Sequence, residues 1–326
     1  PGGRRRIPTL LRNPALLRPF EKITATFGYP DYGEIDPTPL VAVSFVLMYG
    51  MMFGDIGHGL MLAALGVWIR RRFVDSAAVG TVLMIAGISA SIFGFFYGSL
   101  FGREDILPAL WLHPLDSILE ILTASIIAGV ALINIGFLIH VIKTVRIRNW
   151  GSFFFDRNGV SGICLYWALV GGGYAFFRRD LPATVLATLM VLPAMLIFLQ
   201  QPLTRLVSGE RPLVEENWAT FGVQALFETF ETLIRFVSNT LSFVRLGAFA
   251  VAHAGFVGVV FALAETGGEM LRWPVILIGT LIVVGFEGLI VGIQALRLEY
   301  YEFFGKFYQG GGRPFSPLRL PETGMD

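Results

Sequence analysis

Charged residues are scarce in this sequence. They make up 15% of its 326 residues, whereas hydrophobic residues make up 54%. Soluble domains average about 25% charged residues, so the composition excludes an ordinary soluble domain and favours lipid as the surrounding solvent. The formal net charge of +1 decides nothing, because the distribution of charge along the chain matters more than its sum.

Cysteine and nucleotide-binding patterns are also nearly absent. The one cysteine, Cys164, lies in an apolar run, cannot form an internal disulfide and has no metal-ligand spacing around it. The phosphate-binding pattern G-x-x-x-x-G-K-[ST] is missing, and the run at 310–312 lacks its lysine. We therefore predict no metal, no cofactor, no nucleic-acid partner and no catalytic site within this chain.

The start of the sequence lacks the apolar core of a signal peptide, because the arginines at 4–6 are followed by Pro8 and Pro14. We expect the sequence to be the C-terminal portion of a longer chain. It contains no evident soluble domain and no convincing internal repeat.

Long apolar runs are what the sequence does contain. Crossing about 30 Å of hydrocarbon takes about 20 helical residues. Eight runs qualify or nearly qualify, at about 39–54, 57–70, 78–100, 117–142, 160–177, 182–200, 220–264 and 273–305. The first two are short and could instead form one hairpin that dips through the bilayer. The sequence predicts an all-α polytopic membrane protein with eight transmembrane helices.

The basic residues predict an orientation. With the N-terminus in the cytoplasm, eighteen of the 25 lysines and arginines fall in cytoplasmic segments and four on the opposite side. We expect both termini in the cytoplasm, in a prokaryotic plasma membrane. The predicted organisation is a cytoplasmic lead-in at 1–38, six helices within 39–218, two long helices within 219–308 and a cytoplasmic tail at 309–326.

The last two spans are too long for perpendicular crossings. As continuous helices they would measure about 67 Å and about 50 Å. Helices of that length must tilt, break or extend into water, and we expect strong tilt.

Charged side chains inside these two spans are the most informative feature, since a charge at membrane depth costs about 2.5–3.5 kcal/mol or more. At 100° per residue, the polar side chains of each span share one face. The first stripe comprises Glu228, Glu231, Arg235, Ser238, Ser242, Arg245 and His253. The second comprises Glu287, Gln294 and Arg297.

Arg245 is the strongest candidate for a functional role. No acid lies three or four residues from it in its own helix, and arginine cannot shed its proton to escape the cost of burial. Glu231 and Arg235, in contrast, stand at i and i+4 and could form a simple helix-surface pair.

Three further residues allow more than one interpretation. His253 could be a hydrogen-bonded membrane histidine or part of a proton relay. Asp55 and His58, three residues apart in the break between the first two spans, could bind each other, cap helix ends or take part in the site.

Four sequence blocks stand in a specific order. They are Phe20-Glu21 with Tyr29-Pro30 and 34–38, then 52–59 (MFGDIGHG), then 238–246 with 252–254, and finally 294–299 (QALRLE). Together they resemble the stator subunit of the V/A-type rotary ATPases, called subunit a or subunit I. The resemblance covers essentially the whole chain, except that the family's large cytoplasmic N-terminal domain is missing.

The resemblance implies a stator subunit without its own catalytic site, which carries protons through two half-channels past a rotating proteolipid ring. Arg245 would face the ring carboxylates, with Arg297 beside it. The other implied path residues are Glu287 and His253 on the outer side, with Glu231 and Ser238 on the cytoplasmic side.

Gln294 takes a position that is polar in that family. Glu228, Arg235, Asp55 and His58 receive no definite role and remain secondary candidates. The implied partners are the proteolipid ring, peripheral stalk subunits through the missing N-terminal domain, membrane lipids and, indirectly, the central stalk and the soluble ATPase head.

Two other classes of protein stay open. A self-contained secondary ion transporter commonly shows inverted repeats and broken helices around a midplane site, but here the only evident break is at 54–57. A structural membrane scaffold would leave Arg245 unexplained. The sequence does not decide between protons and sodium ions, or between ATP synthesis and hydrolysis.

Overall fold

The computed structural model describes residues 8–31, 34–104, 106–178, 182–209, 211–214, 217–308 and 310–315. Within these ranges the protein is built from α-helices, with isolated backbone bridges instead of β-strands. The first nine helices are α1 (Arg18–Phe27), α2 (Thr38–Met52), α3 (Ile56–Arg72), α4 (Ala77–Tyr97), α5 (Ile118–Arg146), α6 (Trp150–Phe155), α7 (Val160–Arg178), α8 (Ala183–Phe198) and α9 (Gln200–Ser208).

The last four helices form two long rods. The first rod, Trp218–Thr266, consists of α10 (Trp218–Ser242) and α11 (Val244–Thr266), separated only by Phe243. The second, Gly268–Lys306, consists of α12 (Gly268–Ile282), a π-helical turn at Val283–Glu287, α13 (Gly288–Arg297), a second π-helical segment at Leu298–Phe303 and a 3-10 turn at Phe304–Lys306. At 1.5 Å per residue the rods are about 74 Å and about 59 Å long.

Four helical stretches in the described ranges are long and apolar enough to cross a membrane: α4, α5 and the two long rods. A fifth is added if Ala187–Phe198 and Gln200–Ser208, which meet at a bend of 61°, count as one span. Eight crossings are therefore not confirmed. The predicted first two spans form as α2 and α3, but their 15 and 17 residues extend only about 23–26 Å, less than the hydrocarbon thickness.

α2 lies in the core of the bundle. Its side chains Phe45, Met48, Tyr49 and Met52 are all at most 4% exposed. They belong to a cluster that also contains residues of α5, α7, α11 and α13. Burial on most of its faces explains why α2 is apolar all round without being long enough to span lipid by itself.

α3 and α4 form the closest helix pair, and glycine makes the approach possible. A Cβ atom on Gly87 would lie 2.5 Å from the backbone nitrogen of Ala63, and one on Gly66 would lie 2.4 Å from that of Met84. Small residues at a crossing let helix backbones touch in lipid, where hydrophobic attraction between helices is absent.

The lead-in segment and the tail meet. The Thr9 amide donates to the Arg313 carbonyl at 2.9 Å, and the Tyr308 hydroxyl donates to the Gly28 carbonyl at 2.7 Å. The two ends of the described chain therefore lie on the same side of the bundle, which agrees with an even number of crossings without fixing that number.

Candidate functional site

Arg245 stands in the first turn of α11, directly after the interruption at Phe243. Its side chain is half-buried, and its Nη1 atom is buried without a hydrogen-bond partner. No carboxylate of the described residues forms an ion pair with it; the charges that act on it are those of Glu302 and Arg297. The guanidinium is thus a cation only partly compensated within its own chain.

Glu302 is the acid whose charge acts on both Arg245 and Arg297. The π-helical segment that contains Glu302 explains how one side chain can act on both arginines. In a regular α-helix, residues five apart are offset by about 140° and face different sides. The π-helical i to i+5 hydrogen bonds of Leu298–Phe303 bring such residues nearly into line, so Glu302 acts on both Arg245 and Arg297. Its carboxyl is 6% exposed, and Oε2 has no hydrogen-bond partner.

The other members of the second predicted stripe lie at different depths. Arg297 is exposed and Gln294 is half-buried. Glu299, which follows the stripe in the sequence, is fully buried, and the Ser44 hydroxyl lies 3.0 and 2.9 Å from its two carboxyl oxygens. Glu299 therefore ties the second rod to α2 and does not share the exposed face of Arg297.

On α10 the predicted acids are exposed. Arg235 donates to Glu231, so the predicted i, i+4 pair forms. The Gln224 amide donates to Glu228 at 2.9 Å one turn earlier. This pairing gives Arg235 a partner within its own helix, unlike Arg245.

Glu228 and Glu231 line a cavity of about 340 Å³ together with Asp156, Arg157 and Gln200. A second cavity of about 490 Å³ adjoins it and shares Gln200 and Glu228. We call the two together the Glu228 cavity. It gives the acidic face of α10 a polar, open surrounding near the end of the rod.

Asp156 supplies a further negative charge to this cavity. Burial by itself would raise the pKa of its carboxyl, but the hydrogen bond with His140 and the positive charges of His140 and Arg157 hold that pKa below its ordinary value. The His140 Nε2 atom lies 3.2 Å from Asp156 Oδ2. Asp156 is therefore a carboxylate at neutral pH.

Ser238 does not line the Glu228 cavity. It is exposed in a shallow, mostly apolar groove formed by α7, α8 and α10. Ser242 lies in the same groove and donates to the Ser238 carbonyl at 2.9 Å. The structure therefore places Ser238 on the same helix as Glu231 but in a different surrounding, about 10 Å along the axis.

A second polar group lies beyond Arg245 in the other direction. It consists of Asp55, His58, His253 and Glu287, and we call it the histidine cluster. His253 is 2% exposed, and its Nδ1 atom lies 3.0 Å from Glu287 Oε1. His253 Nε2 and Glu287 Oε2 are buried without described partners. Each residue therefore keeps one free polar atom for a further hydrogen bond.

His58 joins this cluster from the turn between α2 and α3. Its ring is 1% exposed and packs edge-on to that of His253, with ring centroids 5.4 Å apart. Its Nδ1 atom lies 3.0 Å from Asp55 Oδ1. The side chains of Phe53 and Phe101 flank the two imidazoles at 4.8 and 5.4 Å, so the polar atoms stand inside an apolar wall.

Asp55 is the structural centre of the turn. It caps α3 by accepting the His58 amide at 2.8 Å, and Oδ1 also accepts the Phe101 amide at 3.1 Å. Oδ2 accepts the Ser99 hydroxyl at 2.7 Å and the Gly102 amide at 2.6 Å. The two oxygens therefore hold the loop after α4 against the start of α3.

Ligand atoms of Asp55, His58 and His253 lie within 4.8 Å of one another, as the donors of a metal site would. However, both Asp55 oxygens already accept hydrogen bonds from the four donors of the turn, so few of their lone pairs remain available to a metal. We therefore interpret the histidine cluster as a hydrogen-bonded polar group.

The close approach of α4 makes this arrangement possible. A Cβ atom on Gly94 would lie 2.3 Å from the Ile56 nitrogen, so only glycine lets α4 reach the turn at Asp55. Tyr49, 2% exposed, donates to the Gly288 carbonyl at 3.0 Å and fixes the second rod next to Glu287. Together these contacts bring the turn at Asp55 and the second rod at Glu287 close to each other.

Sequence reasoning identified most of these residues but missed several. Glu302 was visible as an acid near the end of the second rod, yet only the π-helical geometry aligns it with Arg297. Asp156 and Tyr49 carried no periodic signal, because Asp156 lies in a short turn and Tyr49 resembles any core aromatic. The structure brings Arg245 close to the charges of Arg297 and Glu302, and it forms the Glu228 cavity and the histidine cluster from other predicted residues. Ser238 lies outside all three groups.

Comparison with known proteins identifies relatives over nearly the whole chain. The model of the V-type ATPase 116kDa subunit family matches residues 3–85 and 208–320. Three similar proteins are the A-type ATP synthase subunit I of Aeropyrum pernix, of Methanocaldococcus jannaschii and of Pyrococcus horikoshii, at 26%, 29% and 29% identity. They match 98%, 96% and 96% of this chain.

The chain spans about half the length of these curated relatives, with 52%, 49% and 47% of them covered. The matched segments contain α1 to α3 and both long rods, and thus Asp55, His58, Arg245, His253 and Glu287. Its apolar helices make it an integral membrane protein, and by the family match the chain belongs to the V-type ATPase 116kDa subunit family.

Proposed function

We propose that this chain is the membrane domain of a rotary ATPase stator subunit, which passes protons between two half-channels by way of a rotating proteolipid ring. The relatives named as A-type ATP synthase subunit I support a role within such a complex. The proton as the transported ion, the ring as the partner and ATP synthesis or hydrolysis as the coupled reaction are parts of the proposal.

The observation that carries the proposal is the incomplete compensation of Arg245. Its Nη1 atom has no hydrogen-bond partner, and no described carboxylate reaches ion-pair distance. A carboxyl group facing lipid must be protonated and neutral, because burial raises its pKa instead of leaving the group charged. Beside a fixed guanidinium the same carboxylate can ionise, so a ring carboxylate would release its proton only near Arg245.

Two polar regions on opposite sides of Arg245 support separate access routes. His253 stands eight residues after it, about 12 Å along the rod, and Glu231 stands fourteen residues before it, about 21 Å away. The histidine cluster would serve the outer side and the Glu228 cavity the cytoplasmic side. A proton would then have to travel on the ring between them, because the Arg245 cation repels a proton moving directly past it.

Arg297 and Glu302 would hold the Arg245 side chain at the ring. Glu302 is close enough to act on both arginines but forms no ion pair with Arg245, so the guanidinium stays available to a stronger partner. The length of the two rods favours strong tilt, because about 74 Å and 59 Å far exceed about 30 Å of hydrocarbon.

Cysteine cross-linking tests the proposed partner. In the assembled complex, Cys164 is first replaced by serine and Ala248, exposed one turn after Arg245, is replaced by cysteine. We expect oxidation to join this chain to a proteolipid subunit with a cysteine near its carboxylate. The matched control is Leu138→Cys, a position on α5 that is also exposed, to 57%. Cross-linking from Leu138 but not from Ala248 would place the ring elsewhere.

A Glu287→Gln substitution tests the outer route. The amide keeps the size of the side chain but cannot exchange a proton with His253, and loss of a positioned acid or base typically slows proton transfer at least about 100-fold. We expect ATP-driven acidification of vesicles to fall by at least about tenfold, since water can partly replace the lost group. Glu269→Gln, an exposed glutamate on the same rod, is the control. Equal pumping in both variants contradicts this route.

A further inference from the structure

A further cavity of about 430 Å³ opens beside the ends of α5 and of the second rod and shares Asp156 and Arg157 with the Glu228 cavity. Its charged or titratable side chains are His140, Lys143, Asp156, Arg157, Lys306 and Tyr308. Lys143, Arg157 and Lys306 supply three positive charges to the lining, against one negative charge from Asp156. Cavities of this composition favour an anion.

Lys306 is the most unusual of these side chains. It is only 3% exposed, and its Nζ atom lies 4.5 Å from the ring centroid of Phe236 and 5.1 Å from that of Phe137. In the described part of the chain it forms no ion pair, and the charges that act on it, Arg235 and Arg157, are positive. Contact with two phenyl rings does not offset the burial of an ammonium, so a charged Lys306 needs an anion.

The acids near this cavity are already engaged. Lys143 is paired with Glu34 at 2.5 Å, and the Asp156 carboxylate lies 3.2 Å from His140 Nε2. Neither acid forms an ion pair with Lys306 or with the exposed Arg157, although the charge of Arg157 acts on Asp156. The missing anion must therefore come from outside the described chain.

The surroundings of the cavity indicate the level of the lipid headgroups. α5 ends there with Lys143 and Arg146 in its last turn. Trp150 and Phe154 of the short helix α6 follow, and their side chains are 48% and 46% exposed. Exposed aromatic side chains next to basic ones are typical of the membrane–water interface, where basic pockets between helices bind anionic headgroups.

We infer that this cavity binds a phosphate group, presented by the headgroup of an anionic membrane lipid, with Lys306 and Arg157 as its principal contacts. Free inorganic phosphate has the same chemistry, but the exposed aromatic side chains around the cavity favour a lipid. The inference does not rest on the proton path, because neither Arg245 nor the histidine cluster takes part, although Asp156 and Arg157 also line the Glu228 cavity.

Native mass spectrometry of the assembled complex tests this inference. The delipidated complex is titrated with dioctanoyl phosphatidylglycerol, with dioctanoyl phosphatidylcholine and with inorganic phosphate. We expect one tightly bound phosphatidylglycerol for each copy of this chain, and at least about tenfold weaker binding of the other two. Arg157→Gln and Lys306→Met should each weaken that lipid by about tenfold, as expected for the loss of one charge-assisted contact.

The control is Arg71→Gln, which removes an exposed arginine that does not line the cavity. Arg157 is exposed, so its substitution decides the outcome even where Lys306→Met fails to assemble. Unchanged lipid number and affinity in Arg157→Gln overturns the inference. Equal affinity for phosphatidylcholine, or for inorganic phosphate, overturns the assignment to an anionic lipid.

Discussion

Replacing Arg245 by glutamine is expected to abolish ATP-driven proton pumping while leaving the complex assembled. Glutamine keeps most of the side-chain volume but removes the charge that would let a ring carboxylate ionise at membrane depth. An uncompensated charge there costs about 2.5–3.5 kcal/mol or more, which corresponds to at least about 100-fold slower proton release. Acidification of vesicles that contain the purified complex is the measurement.

Two comparisons make the Arg245 experiment specific. Arg272→Gln changes an exposed arginine at the beginning of the second rod and should leave pumping nearly unaltered. Gel filtration and subunit composition should be the same for both variants, because Arg245 makes no described ion pair whose loss would destabilise the chain. Normal pumping by an assembled Arg245→Gln complex would remove this residue from the mechanism, and with it the rotary proposal.

Replacing Asp55 by alanine is expected to cause the largest loss of stability. The carboxylate accepts three backbone amides and the Ser99 hydroxyl, all within 3.1 Å, and it is 0% exposed. A buried donor left without an acceptor costs about 1–3 kcal/mol, so four such donors amount to several kcal/mol. We expect a clearly lower thermal unfolding temperature of the purified complex, or failure to assemble.

Asp75→Ala provides the matched control for this effect. Asp75 is an exposed aspartate in the connection between α3 and α4. Its replacement should leave the unfolding temperature within the error of measurement. Asp55→Asn should fall between the two, because its amide oxygen can still accept hydrogen bonds whereas its NH₂ group faces donors. An Asp55→Ala complex as stable as the unaltered one would show that the turn is held by other contacts.

Because Asp55 is held within the turn by its hydrogen bonds, we expect Asp55 and His58 to play different roles. Asp55 uses all of its acceptor capacity within the turn, whereas His58 presents its ring to His253 at 5.4 Å. A proton route through the outer side would therefore involve His58 before it involves Asp55. The sequence left both residues as a mutual pair, a helix cap or part of the site, and the structure gives Asp55 the first two roles at once.

The two long rods could be predicted from the sequence because period and length are local properties. Their polar stripe follows from the 100° rotation per residue, and the stripe is confirmed for Glu231 with Arg235, which pair one turn apart. The prediction holds less well where the helix departs from regular α geometry. The π-helical segments next to Glu287 and Arg297 change the face on which the following residues lie.

Membrane crossings were predicted less accurately than helices. The sequence predicted eight spans, with one hairpin as the alternative for the first two runs, but most side chains of α2 are buried among other helices instead of facing lipid. Hydropathy reports that a side chain avoids water and does not distinguish between these two environments. Helix length does distinguish between them, and α2 and α3 are both shorter than the hydrocarbon layer is thick.

By itself the sequence determined that the protein is helical and membrane-embedded, and that Arg245 has no acid within reach in its own helix. Those conclusions depend only on composition, period and neighbours along the chain. Only the tertiary structure decided that Asp55, His58, His253 and Glu287 meet, and that Lys306 is buried without an anion. Contacts between residues more than two hundred positions apart follow from helix packing, in which a single glycine or π-helical turn determines which side chains face each other.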